Sequence, residues 1–285
     1  MTKRTILIQI DPDPQPSVFD RVVALDAGAD EVFSYGGVQR EQVRNLVHGA
    51  IFTRGPQDLR RTALFIGGSD VSVGEALLQE ALRHMLPQFG LRVSVMLDAN
   101  GANTTAAAAV RSAARHLDLA QTTALVLGGT GPVGQRVARL LARRGAEVRI
   151  GSRQPARAQA AVEAIRRKVP EARVQPAPSD LSAALAGCQL AIAAGAAGVL
   201  LLPLAARRAC PTLRVVVDLN AVPPLGIEGI DVADKATERD GVIAYGAIGV
   251  GGIKMKIHKA AIARLFERND LVLDAEEIDA LGEGG

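Results

Sequence analysis

Short apolar runs alternate along this chain with longer stretches in which apolar residues return every three or four positions. The runs read as buried parallel strands and the longer stretches as helices laid over them, so the pattern predicts an α/β fold. Over the first hundred residues the expected order is strand 5–10, helix 17–27, strand 31–35, helix 39–47, strand 50–53, strand 62–67, helix 70–84 and strand 92–97. Ser17 is expected to cap the first helix, with Asp20 at the reciprocal position of a capping box. Residues 103–117 are strongly helical and open on Asn103 and two threonines, which suits a helix start. A second series follows, with strands 123–127, 146–150, 190–194, 214–219 and 242–245 and helices 133–144, 155–168, 179–186 and 199–209. In the helix predicted over 253–268, Ile253, Ile257, Ala261, Ile262 and Leu265 form one stripe. Asp274, with Glu277 three residues on, starts a terminal helix. These last helices are expected to return to the first domain. Residues 1–118, joined by 253–285, are then an N-terminal α/β domain, residues 119–252 a Rossmann-type nucleotide domain, and a cleft lies between them.

Composition narrows the class. At 285 residues, 48% of them hydrophobic, the chain is long enough for two domains with their own cores. No apolar run approaches the ~18–20 residues of a membrane span. Residues 1–10 read as a first strand rather than a secretory signal, because Asp11 arrives too soon. With a net charge of +3, aromatics at 3% and no Trp, the chain has little with which to stack on bases, so no nucleic-acid partner is expected. Cys188 and Cys210 lack paired spacing and read as buried free thiols of a reducing cytoplasm. His48, His84, His116 and His258 fall at no metal-ligand interval, so no metal is expected. The assembly expected is a homo-oligomer.

The densest chemistry lies between strand 123–127 and the helix after it. Gly129, Gly131 and Gly134 satisfy G-x-G-x-x-G in the strand–turn–helix context the motif requires. Gly129, Thr130, Gly131, Pro132, Val133 and Gly134 are therefore assigned to a dinucleotide, whose pyrophosphate meets the helix N-terminus. The following strand then decides which dinucleotide. An NAD site ends that strand with Asp or Glu on the ribose 2′-hydroxyl, whereas here stand Ser152 and Arg153, with Arg157 one turn on. A hydroxyl and a guanidinium suit a 2′-phosphate, which selects NADP; the alternative is that these arginines are solvated surface charges. Ala194, Gly195 and Ala196 follow the next strand but one, where small residues admit the nicotinamide ribose. Asn220 follows the strand after that and is a candidate partner for the ribose or carboxamide, with a loop cap as its alternative.

In the first domain, Asp98, Asn100, Asn103 and Thr104 form the densest polar cluster beside apolar strands. They are candidate substrate residues, with helix capping as the competing role. The proline-rich segment 11–20 is a second candidate wall, in which Ser17, Phe19 and Asp20 face the substrate and Phe19 stacks on a ring. Lys254 and Lys256 are two residues apart and cannot share one helical face. Lys256 is the candidate for the key polar group, and a solvated helix lysine is the alternative for each.

The segments Pro16-Ser-Val-Phe-Asp20, Phe65-Ile-Gly-Gly68, Met96-Leu-Asp-Ala-Asn-Gly-Ala-Asn-Thr-Thr-Ala-Ala-Ala108, Gly129-Thr-Gly-Pro-Val-Gly134, Pro223-Pro-Leu-Gly-Ile227, Gly249-Val-Gly-Gly-Ile-Lys-Met-Lys-Ile-His258 and Asp274-Ala-Glu-Glu-Ile278 resemble the NADP-dependent methylenetetrahydromethanopterin dehydrogenases of bacterial one-carbon metabolism. The resemblance spans nearly the whole chain. It implies that a methylene carbon bridging two nitrogens of a reduced pterin is oxidised to a methenyl cation, with hydride passing to NADP. Such a step moves no proton, which fits the absence of a Cys–His or Ser–His nucleophile. The task left to the protein is placement of the carbon, with Asp98 or Asp20 facing the developing cation and Lys256 on the polar edge of the pterin. Two rivals remain at this point. One is a tetrahydrofolate-linked dehydrogenase; its cyclohydrolase activity would call for a tyrosine–lysine pair four residues apart, yet position 39, four residues after Tyr35, is Gln. The other is an NADP-sensing protein without catalysis.

Overall fold

The computed structural model describes residues 3–281; Met1 and Thr2, which belong to the N-terminal strand reading, and residues 282–285 lie outside the described residues. In chain order come β1 (Ile6–Ile10), α1 (Val18–Asp26), β2 (Glu31–Tyr35), α2 (Val43–Phe52), β3 (Thr62–Ile66), α3 (Val71–Arg83), β4 (Ser94–Leu97) and α4 (Ala102–Ala114). Next are β5 (Thr123–Leu127), α5 (Pro132–Arg143), β6 (Glu147–Gly151), α6 (Pro155–Lys168), β7 (Val174–Pro176), α7 (Leu181–Leu185), β8 (Leu190–Ala193), α8 (Leu204–Arg208) and β9 (Val215–Asp218). The chain continues through β10 (Lys235–Arg239), β11 (Val242–Tyr245), α9 (Ala247–Arg264), β12 (Val272–Leu273) and α10 (Ala275–Ala280). It divides into two compact units. One runs up to Thr104 and resumes at Met255, and the other is Thr105–Lys254, so the divisions fall inside α4 and α9.

Among the described residues, the first unit holds a five-stranded parallel sheet in the order β12-β4-β3-β1-β2. Strand β3, apolar after Thr62, occupies its middle and is buried along its whole length, as a strand covered on both faces must be. The outermost strand on one side, β12, pairs Val272 with Val95 and Leu273 with Met96. The chain leaves β1 for β2 on one side and returns to β3 on the other. The C-terminal ends of β1 and β3 therefore form the switch point of this sheet, where parallel α/β sheets hold their ligands.

The second unit holds a seven-stranded sheet, β10-β11-β9-β8-β5-β6-β7, parallel apart from the β10–β11 hairpin. Its switch point lies between β5 and β8. Both units are α/β, and the second is of the Rossmann type.

Several elements depart from the sequence reading. Residues 50–53 are not a strand; Ala50 and Ile51 complete the buried stripe Val43–Val47 of α2, and a short apolar run carries no signature to tell the two apart. The helix expected over 199–209 is confined to α8, because Pro203 stands at its N-cap and Leu202 bridges to Ile227 in extended form. The glycines at 249–252 do not precede a helix but lie within α9. A Cβ at Gly249 would fall on the Asp234 carbonyl, so the glycine serves close packing of the helix on the chain before β10. Strands β7, β10 and β12 had no clear apolar run to announce them. By contrast, Ser17 caps α1, accepting from Asp20 N at 3.2 Å, although its own N–H donates to Asp11 and the expected reciprocal box is not formed; the Asp274–Glu277 capping box opens α10 as expected.

Candidate functional site

In the second unit a cavity of about 520 Å³ opens at the β5/β8 switch point. Its shape follows from four glycines in the turn. Gly128 is left-handed (φ +71°), and a Cβ there would lie 2.5 Å from Gly195 Cα, so the loops after β5 and β8 touch backbone to backbone. A Cβ on Gly129 would meet Ile150 and the Val126 carbonyl at 2.9 Å, and one on Gly134 would meet the Gly128 carbonyl at 2.5 Å. These two glycines pack α5 onto β5 and β6; neither lines the cavity. Gly131 differs. It caps α5 with φ −77°, and a Cβ there would meet nothing nearer than 3.5 Å. Nothing within the protein demands a glycine at 131, and the space its missing side chain leaves belongs to the cavity. Pro132 follows at the first helical position, and the N–H groups of Val133 and Gly134 have no intrahelical acceptor. An open glycine face beside free amides at a helix start fits a pyrophosphate.

Thr130, Gly131, Pro132, Ser152, Arg153, Arg157, Ala194, Gly195 and Ala196 all line this cavity, so the structure brings together segments after β5, β6 and β8. Arg153 and Arg157 are exposed and make no ion pair among the described residues. No Asp or Glu lines the cavity, which leaves it cationic. Val133 is half-buried and does not line it. Asn220 does not line it either, and its amide is committed elsewhere. It donates to the Val222 and Pro224 carbonyls at 3.1 Å and accepts from Val222 N at 2.9 Å, which is the loop-cap role. Buried Asp218 anchors the same loop through Asn220 N and Ile227 N; burial pushes its carboxyl above the ordinary value, while those N–H groups and that of Gly226 oppose the rise. Sequence reasoning missed Ala177, Pro178, Ser179 and Leu181, which line the cavity beyond β7. Their signal was a pair of prolines, Pro176 ending a strand three residues long and Pro178 just beyond it.

In the first unit, the loops after β1, β3 and β4 meet at the switch point. Asp11 is buried there, accepting from Asp13 N (2.9 Å) and Ser17 N (3.2 Å). Burial pushes its carboxyl above the ordinary value, against the pull of those two N–H groups. Asp13 binds Ser69, and Gly68 (φ +95°) lies so close to Pro12 that a Cβ would meet its ring at 2.5 Å. One carboxylate oxygen of Asp11 and one of Asp20 lie 3.4 and 3.6 Å from where a Cβ of Gly67 would be. Exposed Phe19 ends a ring stack. Its centroid is 6.2 Å from that of His258, which stacks at 5.7 Å and 20° on buried Phe65. The sequence reading placed Phe65 and Gly67 in a strand and His258 in a helix, and gave none of them a site role.

Asp98 is buried and faces inward. Its carboxylate accepts from Asn103 N (2.9 Å), Thr104 N (3.0 Å) and Thr104 Oγ1 (2.6 Å), holding the start of α4. Asn103 donates to the Leu97 carbonyl and to Asp274, also within the scaffold. Asn100 is exposed and left-handed (φ 52°), with its N–H on the Gly68 carbonyl. On α9, Lys256 is exposed and Lys254 half-buried, and neither makes an ion pair among the described residues.

Known proteins resemble this chain along nearly its whole length. Residues 18–100 match the family model described as methylene-tetrahydromethanopterin dehydrogenase, N-terminal. The chain is 44% identical over 288 residues to the Bifunctional protein MdtA of Methylorubrum extorquens, covering 99% of both. It is 32% identical over 292 residues to the NAD(P)-dependent methylenetetrahydromethanopterin dehydrogenase of the same organism, covering 95% of both. Among solved structures, quinate dehydrogenase from Corynebacterium glutamicum in complex with NAD shares the fold, with a TM-score of 0.55 at 18% identity over 98% of each chain.

Proposed function

Because the chain belongs to the methylenetetrahydromethanopterin dehydrogenase family, we propose that it oxidises methylenetetrahydromethanopterin to the methenyl cation with NADP as hydride acceptor. The observation that carries the cofactor half is the acid-free cavity, with Gly131 open toward it and two unpaired arginines at its rim. Bound NADP supplies the nicotinamide carbon that takes the hydride. The amides after Gly131 hold the pyrophosphate, Ser152, Arg153 and Arg157 hold the 2′-phosphate, and Ala194, Gly195 and Ala196 admit the nicotinamide ribose. Asn220 shapes the neighbouring loop.

On the pterin side, Phe19 offers an exposed ring face and Asp20 a carboxylate for the cationic carbon. Ser17 sets the start of α1, and Asn100 presents an exposed amide. Asp98, Asn103 and Thr104 hold the rigid helix start beneath them and act as positioning residues. Lys254 and Lys256 supply ammonium groups, Lys256 being the one that touches the pterin edge. The same reading places the enzyme in the cytoplasm as a homo-oligomer. No helix among the described residues is long and apolar enough to cross a membrane, and Cys188 and Cys210 are free thiols, as a reducing compartment allows.

NADPH formation measured with methylenetetrahydromethanopterin and methylenetetrahydrofolate in parallel tests the reading. Turnover with neither pterin would overturn it, and turnover with the folate alone would move the substrate. Arg153→Ala is expected to weaken NADP by about 1.5–3 kcal/mol, roughly 10- to 150-fold, with the KM for NAD within a few-fold. Equal losses for both cofactors would remove Arg153 from the 2′-phosphate. Lys256→Ala is expected to lower turnover about 100-fold with NADP affinity retained, and Lys254→Ala to do less. Two variants alike and near wild type would make both lysines surface charges.

A further inference from the structure

Arg149 stands in the middle of β6, in register with Leu125 of β5 and two residues before Gly151. Alternate residues of a strand share a face, so Arg149 lies on the face that carries Leu125, Leu127 and Gly151 into the cavity. A cation at a half-buried sheet position needs partners, and its partners are the end of a helix. Nη1 donates to the carbonyls of Ala184 (2.9 Å) and Ala186 (2.7 Å), and lies 3.5 Å from that of Ala183. These carbonyls, at the C-terminus of α7, have no intrahelical donor. At five residues α7 is too short to hold its shape alone. It is pinned at both ends, by Asp180 accepting from Ala183 N at 2.8 Å and by the Arg149 guanidinium. Leu181 and Ala184, on this helix, line the cavity beside Ala177 and Pro178, on the β7 side of Ser152 and Arg153.

From this geometry we infer that Arg149 is a positioning residue for the adenosine end of the dinucleotide: by holding the carbonyl end of α7 it sets the apolar wall of Leu181 and Ala184 against which the adenine rests. The inference rests on reading the cavity as the NADP site. The planar guanidinium is more weakly hydrated than a lysine ammonium and so is more easily held against these carbonyls at a half-buried position.

Calorimetry with adenosine 2′,5′-bisphosphate, alongside nicotinamide mononucleotide, separates the possibilities. Wild type is expected to bind the bisphosphate, Arg149→Ala to bind it about tenfold more weakly, and Arg149→Lys to fall between them. Affinity for nicotinamide mononucleotide, which has no adenosine, is expected to stay within twofold. A folded Arg149→Ala that binds the bisphosphate like wild type, or loses both ligands equally, overturns the inference. Should Arg149→Ala not fold, hydrogen exchange on wild type decides. Bisphosphate binding is expected to slow the amides of residues 182–186, and unchanged exchange there overturns the inference. Failure of wild type itself to bind the bisphosphate would instead overturn the cofactor reading.

Discussion

Gly134→Val is expected to abolish NADP binding and to destabilise the second unit by about 3 kcal/mol or more. The new Cβ would sit 2.5 Å from the Gly128 carbonyl oxygen and 2.7 Å from Gly129 Cα. Both are backbone of the turn itself, so neither swings aside as a flexible side chain would. Relief requires α5 to back away from β5, which carries the first-turn amides out of reach of the pyrophosphate and opens the junction with β6. Thermal unfolding and calorimetry with adenosine 2′,5′-bisphosphate measure the two consequences together. Gly49→Ala is the matched control. Gly49 lies within α2 with no neighbour within 4 Å of its added Cβ, and the change is expected to stabilise by about 0.5–1 kcal/mol. A Gly134→Val protein that binds the bisphosphate within a few-fold of wild type would show that close approach of α5 is not what builds the site.

Asp98→Ala is expected to cost the first unit about 3 kcal/mol or more. Removing the carboxylate strands two buried N–H groups, on Asn103 and Thr104, and weakens the place of the Thr104 hydroxyl. Each buried donor left without an acceptor costs about 1–3 kcal/mol, and the loss of a cap alone about 1 kcal/mol. Asp98→Asn keeps one oxygen for the two N–H groups and turns an amide toward the hydroxyl, which then accepts. It is expected to recover more than half of the loss. Denaturant unfolding reads this as a lower midpoint at unchanged slope. An alanine variant unfolding at the wild-type midpoint would mean that α4 starts without this carboxylate, and would return Asp98 to a direct role toward substrate.

How much of this was legible follows the range of the interactions involved. The turn 128–134 was readable because its whole logic is local: strand, glycines and helix adjoin in sequence, and the missing acid after β6 lies in the same stretch. The cap at Ser17 and the box at Asp274 were readable for the same reason. Residues 50–53 misled because Ala50 and Ile51 suit a strand as well as the last turn of a buried stripe, and only packing separates the two. Gly249, Gly251 and Gly252 read as a loop because glycine weakens a helix; the reason for glycine at 249, close contact with the chain at Asp234, lies in tertiary structure. Asn220 showed the right residue type in the right loop, but an amide's partners are not written in its position. The His258–Phe65 stack and the α7 wall join elements far apart in the chain, so no window of sequence displays them. Arg149 is the clearest instance. In sequence it is one charge among apolar residues of a strand, and its partners lie more than thirty residues later.

Strand β12, which pairs with β4, has a consequence for how the protein is made. Every residue of Thr105–Lys254 is translated between these two neighbours. At ordinary synthesis rates β4 therefore waits roughly 10–35 s on the ribosome with its outer rim of N–H and C=O groups bare. A naked rim of this kind is a template for pairing with other chains. The later segment ends that exposure: the Leu271 carbonyl accepts from Val95 N at 2.8 Å, and Ser94 Oγ reaches the Arg268 carbonyl at 2.9 Å. In the nascent first third of the chain this rim is bare, and residues 268–273 cover it in cis once they are made.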